Sequence, residues 1–150
     1  MPDILLELVH HVAVFALVGV VAAEYVLLTR TELEGRRLRT LSVLDGAYGG
    51  LAGLILLAGA ARVVWGDAGW AFYVLNWTFW VKMALFALVA ILSIRPTLAI
   101  LRWRRAAVAV PGYVVPAAEV GAVRGFFHAS FGALALIPIF AALMARGVGL

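Results

Sequence analysis

Nine ionisable side chains fall inside stretches that are otherwise apolar: Glu7, His10, His11, Glu24, Asp45, Arg62, Lys82, Arg95 and His128. A charge at the centre of a bilayer costs roughly 2.5–3.5 kcal/mol on insertion scales, so such residues pair, face a bundle interior or mark a site. By depth they sort into two layers. Glu7, His10, His11, Arg62 and Lys82 lie near one end of their segments, and Glu24, Asp45, Arg95 and His128 near the other. In the first layer His10 or His11 offers a neutral imidazole, the donor that haem iron takes axially. Arg62 and Lys82 offer charge-assisted contacts to carboxylates such as propionates. That set points to haem b or a related tetrapyrrole in a redox protein. Two bis-histidine haems would need four histidines, and the chain has three. His10 and His128 sit in opposite layers, which argues against them as one axial pair.

Two other readings compete. One is a metal or proton path. His10 and Glu24 share a helical seam but stand about 21 Å apart by helical rise. They suit two stations of a relay with Asp45 and Tyr48, not one ion site. The other is structural. Glu7 pairs with His11 four residues on, and Glu24, Asp45 and Arg95 make an inner ionic cluster that sets helix order. A protein built that way is a non-enzymatic scaffold for a membrane partner.

The elements that must position these groups are membrane helices. Of 150 residues 65% are hydrophobic and 13% charged, and mean hydropathy is +1.06. A soluble domain carries about 25% charged residues, so this chain needs a bilayer. There is no cysteine, which excludes disulfides, iron–sulfur clusters and covalent haem attachment. Four segments, 4–28, 41–65, 77–101 and 123–145, are long enough to span at about 1.5 Å per residue. The first carries Glu7 and lacks a basic leader, so it reads as a span and not a signal peptide. The expected fold is a single all-α domain, 1–150, an integral membrane four-helix bundle.

Arginines orient it. Arg30, Arg36, Arg37 and Arg39 follow the first span, and Arg102, Arg104, Arg105 and Arg124 lie between the third and fourth. By the positive-inside rule these loops are cytoplasmic. Both termini then face outward, to the periplasmic side of a bacterial inner membrane. The net charge of +4 is thereby a topology and headgroup signal, not a nucleic-acid one. In the outer loop Trp70, Phe72, Tyr73, Trp77, Phe79 and Trp80 read as an interface belt, the alternative being a lid over an outer pocket, with Trp65 and Trp103 as further anchors. The segment from Pro111 to Pro116 breaks helix.

Helical spacing gives each span a seam. Span one aligns His10, Val14, Leu17, Val21 and Glu24. Span two aligns Asp45, Tyr48, Ala52, Ile55, Gly59 and Arg62, and span three Lys82, Phe86, Val89, Ser93 and Pro96. Span four aligns His128, Gly132, Ala135, Ile139, Ala142 and Arg146. Seams of this kind face one another in a left-handed bundle. Arg95 falls off the Lys82 seam. Gly46 with Gly50 and Gly49 with Gly53 allow close helix approach, within the bundle or in a homo-oligomer. There is no nucleophile elbow, phosphate loop, zinc-protease motif or dinucleotide fingerprint.

Several motifs occur in a familiar order: His10-His11-Val12-Ala13-Val14-Phe15, Asp45-Gly46-Ala47-Tyr48-Gly49, Phe79-Trp80-Val81-Lys82-Met83, Arg95-Pro96-Thr97, Arg102-Trp103 and Ala141-Ala142-Leu143-Met144-Ala145-Arg146-Gly147. On these, nearly the whole chain resembles a family of uncharacterised bacterial four-helix inner-membrane proteins. More distantly it is similar to the small membrane class of protoporphyrinogen oxidases and to copper-resistance membrane domains. Those place a histidine early in span one and a lysine early in span three, matched here by His10 (or His11) and Lys82. The resemblance implies a tetrapyrrole site at those residues. The oxidase class carries a Pro-Arg pair late in span one, where this chain has Glu24-Tyr25.

Overall fold

The computed structural model describes residues 2–29 and 32–149. Arg30, one of the orienting arginines, lies outside them. The chain forms α1 (Pro2–Leu28), α2 (Gly35–Trp65), the short α3 (Gly69–Val74), α4 (Trp77–Ala109) and α5 (Ala117–Ala145). Four of these are long and apolar enough to cross a membrane. The last three of those four run well past the expected spans because Arg and Ala are good helix formers, so the helix continues through the charged ends. The 33 residues of α4 span about 50 Å, well beyond a hydrocarbon core of roughly 30 Å.

The helices pair as two antiparallel hairpins, α1 with α2 and α4 with α5. The hairpins meet mainly through α2 and α4, with a thinner contact between α1 and α5. Most side chains on the four helices point outward, Phe15, Leu57, Ile91 and Leu98 among them, as suits surfaces that lipid covers. The apolar interior is narrow.

The arginine-bearing loops lie together at one end. Val115 N–H donates to the Leu33 carbonyl at 3.1 Å, and Glu34 bridges Val114. Beneath them Leu28, Leu33, Leu38, Leu41, Ile100 and Trp103 are fully buried in one cluster. Trp103 is therefore a core residue and not the interface anchor its type suggests. Glu119 explains the change: its Oε2 accepts from Trp103 Nε1 at 2.7 Å and from Arg102, so the indole N–H needs no headgroup. Pro111 and Pro116 do stand outside the helices.

At the opposite end lie α3, the start of α1 and the end of α5. Trp65, Trp70, Trp77 and Trp80 are exposed there and Tyr73 is buried, an arrangement that fits the belt. Asn76 caps α4 by accepting from Thr78 N–H at 2.9 Å. Gly147, at φ 74, ends α5 in a turn where Val148 N–H donates to Leu143 O at 3.1 Å and Gly147 N–H to Met144 O at 3.0 Å. That turn docks on α4, with Val148 O 3.4 Å from the Thr78 hydroxyl oxygen.

Three of the four expected seams face inward. Leu17, Val21, Glu24, Ile55, Val89 and Pro96 on them are buried. The fourth does not. His128, Gly132, Ala135, Ile139, Ala142 and Arg146 are all exposed. The inward face of α5 instead carries Val123, Phe127, Ser130 and Met144.

Candidate functional site

The two layers survive in the structure with different contents. At the α3 end, α1 and α2 bring Glu7 and Arg62 together, with 3.6 Å between Oε2 and the guanidinium. His10 is half-buried, and its Nδ1 lies 3.2 Å from the Ile55 carbonyl of α2. A carbonyl only accepts, so Nδ1 carries the proton and Nε2 keeps its lone pair. His11 is exposed and turns back on its own helix, its Nδ1 2.8 Å from Glu7 O. The rings stand edge to face with centroids 5.9 Å apart, and each Nδ1 serves a different carbonyl. His10 is thus the histidine that faces the bundle. Lys82, from α4, lies within electrostatic reach of both His10 and Arg62, and its Nζ sits 5.4 Å from the centre of the Phe79 ring. Among the described residues no group of three or more His, Asp or Glu is arranged to hold a metal.

In the other layer a cavity opens between the hairpins. It measures about 190 Å³ and runs from Asp45 and Thr97 past Tyr48 and Ser93 to Leu17, Ala52 and Phe86. A smaller recess joins the same wall at Glu24, Pro96, Phe127 and Ser130. Every long helix supplies a side: α1 gives Glu24, α2 Asp45 and Tyr48, α4 Ser93 and Thr97, and α5 Ser130. Glu24 is only 2% exposed. Its Oε1 is buried with no hydrogen-bond partner among the described residues, and Asp45 lies within electrostatic reach of it. Asp45 Oδ1 accepts from Thr97 Oγ1 at 2.7 Å.

The other two members expected here are elsewhere. His128 is exposed on the flank where α1 meets α5. Its Nε2 is hydrogen-bonded to the Tyr25 hydroxyl at 2.9 Å, and Phe131 packs edge-on against the same tyrosine. Arg95 is exposed and is not among the residues that line the cavity with the two carboxyls it was expected to join. The expected ionic cluster of Glu24, Asp45 and Arg95 is therefore a pair of carboxyls, with no cation on the cavity wall among the described residues.

Thr97 and Ser130 are the site residues that the sequence reading missed. Both were signalled by spacing. Thr97 lies four residues after Ser93, and Ser130 falls on the three-and-four rhythm of Val123, Phe127 and Leu134.

Residues 2–149 match a family whose members are described as predicted membrane proteins, DUF2214. The chain belongs to that family. Neither the curated proteins nor the solved structures hold a match to it. The family description bears out an integral membrane protein of uncharacterised type. It lends nothing to a kinship with haem-binding oxidases or copper-resistance domains.

Proposed function

We propose that this membrane protein handles protons, with Glu24 and Asp45 as the exchanging pair of an intramembrane pathway. The observation that carries the reading is Glu24, which lines a recess walled by four helices and has one buried carboxyl oxygen unpartnered among the described residues. Buried polar groups without partners are costly, and intramembrane carboxyls lining a cavity are the usual stations of proton relays. Asp45, Tyr48, Ser93 and Thr97 continue the polar lining from there. In proteoliposomes with a trapped pH dye and an imposed potential, wild type should carry protons. Glu24→Gln and Asp45→Asn should lose the flux. Equal flux in empty liposomes and in all three proteins would refute the pathway.

A haem or tetrapyrrole site is the second reading, favoured by His10. Its Nδ1 is held by a backbone carbonyl, the arrangement that orients an imidazole whose Nε2 ligates a metal. Arg62 and Lys82 stand near enough to meet carboxylates. Bound there, haem would supply one-electron redox chemistry. The imidazole and cations fit such a group, but the enclosed space does not. The cavity is below the roughly 300 Å³ at which ligand pockets begin, and on α1 its lining stops at Leu17, about 10 Å of helix from His10. A Soret band in protein from haem-supplemented cells, lost in His10→Ala, would promote this reading. A colourless, folded protein would retire it.

Both readings place the chain in a bacterial inner membrane with the arginine loops in the cytoplasm. The chain has no cysteine, so single-cysteine labelling tests this directly. Ala68→Cys should react with an impermeant maleimide on intact spheroplasts, and Glu34→Cys only after lysis. The reverse pattern would invert the topology.

A further inference from the structure

The cavity between the hairpins has an unusual chemical bias. The serine and threonine hydroxyls on its wall spend their hydrogens elsewhere. Thr97 donates to Asp45 at 2.7 Å, Ser93 to Ala90 O at 2.7 Å and Ser130 to Phe126 O at 2.9 Å. Tyr48 lines the same wall beside Ser93. The remaining lining residues are Leu, Val, Ala, Gly, Phe and Pro apart from the two carboxyls. Among the described residues no lysine, arginine, histidine, asparagine or glutamine lines it. Pro96 also withholds the N–H that would meet the Leu92 carbonyl. The Tyr48 hydroxyl apart, what the wall offers to the space is oxygen lone pairs.

We infer that this cavity is a binding site for a small hard cation, taken by oxygen ligands in exchange for protons. The inference rests on the cavity being the working part of the protein, and it names what occupies it. Hard cations take carboxylate, hydroxyl and water oxygens. The ligands are Glu24 Oε1 and the Asp45 carboxyl, completed by hydroxyl oxygens of Ser93 or Ser130 and by water. Glu24 and Ser130 line the recess of about 20 Å³, which holds an ion or one water, and Asp45 and Ser93 border both it and the adjoining space of about 190 Å³, which has room for the waters that complete the shell. Two carboxyls and no third acidic or imidazole group suit an ion that keeps part of its hydration shell. Around Glu24, α2 contributes Asp45 and Tyr48, while α4 and α5 contribute no charged group among the described residues. The exchange balances simply. A monovalent ion replaces one carboxyl proton, which leaves to solvent. A divalent ion replaces two.

The test uses full-length protein in lipid nanodiscs at low buffer strength, with a pH dye and thermal unfolding read together. LiCl, NaCl, KCl and MgCl₂ are added against choline chloride at equal ionic strength. The expected result is a saturable rise in unfolding temperature for one ion, with release of one proton per Li⁺, Na⁺ or K⁺ bound, or two per Mg²⁺. Glu24→Gln should abolish both signals. Thr97→Val keeps both carboxyls and loses only the bond that orients Asp45. It should weaken the apparent affinity about 10- to 100-fold, as expected for a residue that holds a ligand in place. Absence of release and of shift beyond choline for every ion would overturn the inference, as would an unchanged response in Glu24→Gln and Thr97→Val. The two proposals fail separately. Proton flux without an ion response leaves the pathway and removes the cation site. An ion response without flux does the opposite.

Discussion

The two ends of this bundle are built from the same helices and solve the problem of charge in a membrane differently. At the α3 end, Arg62, Lys82, His10 and Glu7 are half-exposed and lean on one another and on aromatic faces. Long basic side chains can reach the headgroup region there, so exposure relieves most of their cost. At the arginine-loop end Glu119 and Arg102 are also partly open, and among the described charged residues Glu24 alone is enclosed. Glu119 is saturated by Trp103 and Arg102, whereas Glu24, somewhat deeper, has an oxygen with no donor among the described residues. The contrast separates charge that lipid and water tolerate from charge that the fold confines. It is the confined carboxyl without a partner that points to function.

Substitutions can sharpen or break that contrast. The largest effect is expected at the sealed end. Trp103→Ala should cost about 3–5 kcal/mol, the usual range for a buried large aromatic, seen as a large drop in unfolding temperature. A variant as stable as wild type would mean that the loops do not pack as described. Trp103→Phe keeps the ring and leaves Glu119 with Arg102 alone, for about 1–3 kcal/mol. Thr97→Val should cost about 0.6 kcal/mol and at most about 1.7, the average and the maximum for hydrogen bonds between membrane helices in double-mutant cycles. At the other end Glu7→Gln breaks a long, half-open ion pair and should change stability by about 1 kcal/mol or less. If Glu7→Gln proved as damaging as Trp103→Ala, the two ends would not differ in the way drawn here. Finally, Tyr25→Phe removes the lateral bond to His128 and should cost about 0.6 kcal/mol, with no effect on flux through the cavity. Loss of flux would place that pair on the pathway.

Much of the fold was legible because each span is apolar and has the right length. The faces were harder to read. Spans that are apolar all round give the period no contrast, so the inward seam can be chosen only by its polar residues. That worked for Glu24, Asp45, Ser93 and Pro96, which do face inward. It failed on α5, where His128 is satisfied sideways by Tyr25 and Ser130 is the inward polar residue. It failed for Arg95 because a long cation can escape to the surface while a short carboxyl cannot. Trp103 was misjudged for a related reason. The acceptor that lets its indole go inside is Glu119, which stands 16 residues downstream on the next helix, and no local pattern announces it.

The tie between the arginine loops has a mechanical corollary. Leu33 and Val115 join the two hairpins by backbone at that end, while at the far end the hairpins are linked through the short α3. Two rods joined at both tips cannot splay at either. The hairpins are thus held at both tips, by a hydrogen bond and a buried cluster at one and by the chain itself at the other.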